Sequence, residues 1–256
     1  MASKADRGFK RIAELHNATL EKLLGRGGVT AKSDMATILD KTVATVVDLM
    51  QDKTVDADAL RWQAENWLRA GAFAGGCGCA SSSLAPQLRH QMDRFDDAYD
   101  RAKDAKARAL LLRPRARGGF APGGLGTYDE RMFDAYKILF AASYDFWAAR
   151  QTGRSKSATA ARSLAPSSHA YTDLKCLARI DFEGAMTGAA AGLVVAWWTG
   201  AGVTGGVLAG VVVAAALSSA LASLRNDCLR IVERDTSPYP GPAEPGGGEG
   251  PLGPLS

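Results

Sequence analysis

From Gly184 to Leu224 the chain runs for 41 residues without a charge. One membrane-spanning helix needs ~20 apolar residues, so this run is long enough for two. Its middle, TGAGVTGG over Thr199–Gly206, packs four glycines into eight residues. Such density costs a helix too much backbone entropy and marks a turn. The run therefore reads as two apolar legs of similar length with a tip near Gly202. Each leg repeats a small residue every fourth position. The first has Gly184, Gly188, Gly192, Ala196 and Gly200; the second has Gly202, Gly206, Gly210, Ala214, Ser218 and Ala222. That spacing lines small residues along one side of a helix and opens a shallow groove for a second backbone. Transmembrane helices use this small-xxx-small pattern to pack closely. Bulky residues such as Leu193, Val194, Val207, Leu208 and Val211 fall on the other faces, suiting lipid or a protein core.

The flanks give the hairpin a direction. Lys175, Arg179, Arg225, Arg230 and Arg234 lie at the open end, and the tip has no charge. The positive-inside rule then places the base on the cytoplasmic side and sends the glycine tip inward or across. Trp197 and Trp198 stand beside the tip, where an interfacial aromatic belt lies. Legs of roughly 18–20 residues at ~1.5 Å each reach about 27–30 Å, enough to span a bilayer. Cys176 precedes Gly202 by 26 residues and Cys228 follows it by 26. An antiparallel hairpin brings these thiols together, as a disulfide, a metal pair or two free thiols.

The remainder of the chain follows helical spacing, and no segment outside the apolar run reads as a strand. Phe9, Ile12, Leu15, Leu20 and Leu23 mark a first helix, stopped by the GRGG of 25–28. Ser33 or Asp34 suits the N-cap of a second, which turns Ile38, Val43, Val46, Val47 and Met50 inward. A third runs from about Asp56 to Phe73. Residues 74–83, AGGCGCASSS, form a linker. Leu88, Met92, Phe95, Tyr99, Ala102, Ala105 and Ala109 trace one amphipathic helix with a near-heptad seam. Its Asp96, Asp97, Asp100 and Asp104 alternate with Arg and Lys and read as a solvated outer face. A basic loop covers 113–127. A helix from about Tyr128 to Arg150 follows, and residues 150–168 read as loop. Thr172 or Asp173 caps the helix that enters the hairpin. The Pro/Gly-rich residues 235–256 read as disordered.

The expected fold is all-α. Residues 1–165 form a polar amphipathic bundle, 166–234 the hydrophobic helical hairpin and 235–256 a disordered tail. Four cysteines in 256 residues do not make a disulfide scaffold. The N-terminal MASKADRGFK has no apolar core, so no signal peptide is read. A net charge of +4 is compatible with an anionic membrane surface and is too small to argue for nucleic acid.

Chemical motifs are few. Gly200–Gly205 matches G-x-G-x-x-G but lacks the repeated strands of a dinucleotide fold. Cys77-Gly78-Cys79 is too tightly spaced for a zinc knuckle and reads as two exposed thiols in a loop, with acylation as the alternative. Arg113, Arg115 and Arg117, with Arg150, Arg154, Lys156 and Arg162, make basic loops that suit lipid headgroups or plain solvent. His16, His90 and His169 fall on separate elements without metal or triad spacing. No catalytic residue, metal or cofactor is assigned.

The layout, amphipathic helices followed by an apolar hairpin, resembles the pore-forming colicins. The runs GAMTGAAAG (184–192) and GVTGGVLAG (202–210) look like glycine-zipper stretches of small bacteriocins. The resemblance is architectural and carries over no functional residue. It implies a hairpin that is sheltered in a helical coat and inserts into a membrane, with homo-oligomers formed through the grooves. The expectation is thus a non-enzymatic, membrane-active and membrane-associated protein with pore-forming or toxin-like action. The alternative is a soluble cytoplasmic helical scaffold in which the hairpin is permanent core.

Overall fold

The computed structural model describes residues 4–25, 27–70, 84–113, 125–158, 168–189 and 205–233. The linker at 74–83, most of the basic loop, the hairpin tip and the tail lie outside them. Among the described residues there are eight helices: α1 (Lys4–Leu23), α2 (Met35–Met50), α3 (Ala57–Arg69), α4 (Pro86–Arg101), α5 (Ala105–Leu111), α6 (Thr127–Ala158), α7 (Leu174–Ala189) and α8 (Gly205–Arg225). The fold is all-α. Among the described residues the one exception is a short antiparallel ribbon, β1 (Ser168–Thr172) with β2 (Leu229–Glu233).

Local chemistry sets the helix ends. After α1 the chain reverses at Gly27, which takes a left-handed φ of 74°. Gly28 follows so closely that a side chain there would overlap the Leu23 carbonyl, whose oxygen accepts from Val29 N at 2.7 Å. Asp34 caps α2 by accepting from Thr37 N at 2.7 Å, and Asp56 caps α3 through Asp58 N and Ala59 N. Such caps satisfy the free N–H groups of a first helical turn.

Three boundaries differ from the sequence reading. The near-heptad seam breaks at Ala102–Asp104, because Asp104 accepts from Ala107 N at 2.7 Å and starts α5 anew. A short carboxylate competes well for backbone N–H groups, so Asp favours a cap over a helix interior. The segment after Arg150 is not loop from its start: α6 continues to Ala158. Extending a helix costs far less than nucleating one, so polar residues follow an established helix. The ribbon is the third difference. SHAYT and LRIVE are too short to show a strand period, and they pair across the whole hairpin rather than through a short β-turn.

The core is continuous across the sequence boundary near 165. α8 lies at its centre, packed against α7, α1, α2 and α3, while α6 packs on α1 and α7. Residues Ala209–Ala222 of α8 are buried without interruption. A helix apolar on all sides needs cover on all sides, and the amphipathic helices supply it. A second packing centre joins α4, α6 and α7, where Phe95, Phe133, Tyr136, Phe140 and Phe182 meet mostly edge to face. The Tyr136 and Phe182 centroids are 4.9 Å apart at 87°.

Candidate functional site

The hairpin is the candidate site, and four contacts define how it is held. The first is the glycine groove. A Cβ on Gly184 of α7 would stand 2.9 Å from the Ala214 carbonyl oxygen and 2.8 Å from Ser218 Cβ on α8. The legs therefore touch at small residue on small residue, backbone to backbone. Ser218 turns its hydroxyl onto its own helix, donating to Ala214 O at 2.8 Å. The second-leg stripe does not face α7 throughout. Gly210 is in ordinary contact with Gln63 and Leu60 of α3, and a side chain on Gly206 would meet nothing within 4 Å. An α-helix advances 3.6 residues per turn, so a four-residue stripe drifts around the axis and leaves one neighbour for another. Gly188 lies in α7 with its surroundings undescribed. Gly192, Ala196, Trp197, Trp198, Gly200 and Gly202 fall outside the described residues.

The second contact closes the feet. Cys176 and Cys228 form a disulfide with Cα atoms 5.6 Å apart. Beside it Asp173 N donates to Cys228 O at 2.8 Å, and the ribbon pairs Thr172 with Leu229. Asp173 also caps α7, accepting from Cys176 N at 3.1 Å. Covalent bond, cap and ribbon thus share one corner.

The third contact is ionic, and it corrects one reading. Lys175 and Arg179 at the hairpin base both have carboxylate partners. Lys175 pairs with Asp97 at 3.1 Å, and Arg179 pairs with Asp93 and Asp96 on α4. Asp96 does not face outward: it is 1% exposed, and Tyr136 donates to it at 2.5 Å. Burial drives the Asp96 carboxyl up to about 7, against the pull of Arg179 and the Tyr136 hydroxyl. The Asp97 hydrogen bond raises Lys175 above the ordinary range for an amine. Arg225 ends α8 on the exposed surface, and Arg230 pairs with Tyr171 in the ribbon register.

The fourth contact has no signal in residue spacing. Asp181 of α7 is 4% exposed and meets side chains from three other helices. Ser219 of α8 and Ser143 of α6 donate to its two oxygens, and Trp147 Nε1 donates at 3.1 Å. His16 of α1 completes the cluster, with Nε2 at 3.1 Å from Ser219 Oγ and 3.6 Å from Asp181. Burial raises the Asp181 carboxyl above its usual range, partly offset by the nearby His16 and the Ser143 and Trp147 donors. The residue types are those of a hydrolytic triad, but the arrangement differs. Serine and carboxylate share one imidazole nitrogen, whereas a triad puts the carboxylate on the far one. His16 Nδ1 meets Asn17 Oδ1 instead, at 3.0 Å. What this cluster does is fix α1, α6, α7 and α8 at a common level. The one legible hint is a charge flanked by Ile180 and Phe182 just ahead of the apolar run.

At the other end of α8, Asp52 in the α2–α3 loop sits over the helix start, with its Cγ 2.8 Å from a Cβ built on Gly205. A carboxylate there complements the partial positive charge of the helix N-terminus. α8 is also the described helix long and apolar enough to cross a membrane, with a mean hydropathy of 2.2 and 78% of that stretch buried. Among the described residues no group of His, Cys, Asp or Glu is arranged to hold a metal ion. No family model, curated protein or solved structure matches the chain.

Proposed function

We propose that this chain is a non-enzymatic, membrane-active protein that keeps an apolar hairpin sheltered inside a helical coat and inserts it into a lipid bilayer. The observation that supports this reading is α8. It is 21 residues long and free of charge before its last residue, yet it is held by small-residue contacts and polar clusters at its margins. A span of ~30 Å matches a bilayer core. Moving such a helix from protein to lipid exchanges one apolar environment for another, so the hydrophobic term is largely conserved. The partner is then membrane lipid with an anionic surface, the hairpin base stays on the cytoplasmic side, and copies associate through the glycine grooves. The test is flotation and dye release with anionic vesicles, using the full chain and a variant lacking residues 184–224. Vesicle binding and leakage by the full chain alone support the reading; a full chain that stays soluble and releases no dye rejects it.

A specific observation favours a second reading, a soluble helical scaffold with permanent core. Asp181 is tied to side chains of three other helices within that core. Such a knot opposes release of α7, and the same vesicle experiment separates the two.

A further inference from the structure

Among the described residues the Cys176–Cys228 bond is the one covalent tie between the two legs. It joins the first turn of α7 to the chain just beyond α8. α7 is in turn fixed to the coat by Lys175 and Arg179 on α4 and by Asp181 on α6. The bond therefore ties the foot of α8 to the coat through α7. Without it that foot is held weakly. The ribbon has two strands of five residues, and such a ribbon is marginal on its own in water. Asn226, where the chain leaves α8, has a left-handed φ of 59°, a conformation that costs a residue with a Cβ. The next polar tie along α8 is Ser219, held by Asp181 and His16. The segment that depends on the bond thus lies beyond the buried Ala222.

Two cavities flank the bond. Cys176 lines an open cleft of about 350 Å³ between α4 and α7, and Cys228 lines a cavity of about 50 Å³ between α6 and the ribbon. Neither cysteine is more than 9% exposed, so attack on the bond follows a local opening of the ribbon. The orientation proposed above also puts the feet on the cytoplasmic side, where thiol pools keep cysteines reduced. We propose that the Cys176–Cys228 bond is a redox lock. Oxidised, it holds the foot of α8 closed; reduced, it lets the ribbon and the end of α8 open and frees the hairpin to enter lipid. The entry into lipid rests on the membrane reading; the opening of the foot does not. The chemistry is exchange with a dithiol. One thiolate of the dithiol attacks a sulfur of the bond, forms a mixed disulfide and releases the other cysteine, which takes up a proton. The second thiolate displaces the remaining cysteine, leaving two protein thiols and a cyclic oxidised reductant. In the larger cleft Asp93, Asp96, Asp97 and Asp173 outnumber Lys175 and Arg179, which disfavours an anionic reductant and points to an uncharged dithiol.

Amide hydrogen exchange of the full-length protein and dye release from anionic vesicles test the lock together. Both compare the oxidised protein, protein reduced with dithiothreitol, and Cys176→Ser with Cys228→Ser. Reduction is expected to speed exchange in the ribbon and the last turn of α8 by roughly tenfold or more while helix content is retained, and to raise dye release by a similar factor. The double variant should match the reduced protein and ignore dithiothreitol, which excludes Cys77 and Cys79 as the source. Unchanged exchange, loss of helix content on reduction, equal dye release by both forms, or a double variant that still responds to dithiothreitol overturns the lock. Release by neither form rejects the membrane reading instead, and the exchange result alone then decides the lock. Oxidised and reduced protein are compared without any substitution, so the test stands even where the variant folds poorly.

Discussion

Gly184 and Ser218 meet where the two legs of the hairpin cross, with Ser218 Cβ only 2.8 Å from the place a Gly184 side chain would occupy. This makes Gly184 a packing requirement. Alanine within a helix gains about 0.5–1 kcal/mol over glycine. At Gly184 that gain is outweighed, because the new methyl also meets the Ala214 carbonyl, a backbone atom unable to move aside. Overpacking of this kind costs ~1–3 kcal/mol. Gly184→Ala is expected to lower the melting temperature, while Gly206→Ala, with nothing within 4 Å, leaves it unchanged or raises it. Thermal unfolding of both variants checks this; equal effects would mean the groove is not the contact.

The disulfide encloses almost the whole hairpin, with a sequence separation of 52. Chain-entropy arguments give about 4 kcal/mol for a loop of this size. Cys176→Ser with Cys228→Ser is expected to lose stability of this order, read from urea unfolding as a lower midpoint with a steeper slope, because the opened loop exposes more surface in the unfolded chain. A double variant as stable as the parent would show that ribbon and ionic contacts close the feet without the bond.

Asp181 accepts from three donors and is paired with His16, so its removal strands several buried groups at once. Deleting one partner of such a buried cluster costs ~3–5 kcal/mol. Asp181→Ala is expected to destabilise by this order. Asp181→Asn keeps an acceptor oxygen and should cost clearly less. Chemical denaturation ranks them, and the reverse order would refute the assignment of Asp181 as the common acceptor.

Protons act on this fold in an unexpected direction. Asp96 titrates at about 7 in the folded chain, against 3.8 in the unfolded one. The folded state therefore holds the proton more tightly. The contribution of Asp96 is fully present below 3.8 and is lost as the pH rises through 7. Asp181 shifts the same way, and the exposed Asp34 and Asp52, held below 3.8 by hydrogen bonds to Thr37 and Thr54, act the opposite way at lower pH. Urea unfolding from pH 7 down to about 4 is expected to show Asp96 adding stability, with Asp96→Asn flattening that slope. An unchanged slope would remove Asp96 as its source.

The second leg, the Gly184–Ser218 contact and the meeting of Cys176 with Cys228 follow from spacing, because a helix converts sequence interval into a face. The Asp181 cluster does not, since its members stand on four helices and no interval links His16 to Ser219. The burial of Asp96 escapes residue spacing for a related reason. Its neighbours alternate in charge as on a solvated face, and only the arrival of Arg179 and Tyr136 from other helices makes burial tolerable there. The ribbon escaped because its strands are too short to carry a period.

Because acid strengthens Asp96 and Asp181 in the folded state, it is a poor signal for releasing the hairpin through the α4–α7 contact. Charge reversal is a direct one. Arg179→Glu sets a carboxylate against Asp93 and Asp96 and breaks the contact at its centre. Two like charges replacing a partly buried pair cost ~3–5 kcal/mol, enough to loosen α7 from α4. The hairpin reading then predicts more dye release from anionic vesicles at neutral pH than the parent protein gives. Asp93→Arg combined with Arg179→Glu should return both stability and leakage toward the parent level. A variant that is destabilised yet releases no dye, while helix content remains, would mean that α7 and α8 have no tendency to enter lipid and would favour the permanent scaffold.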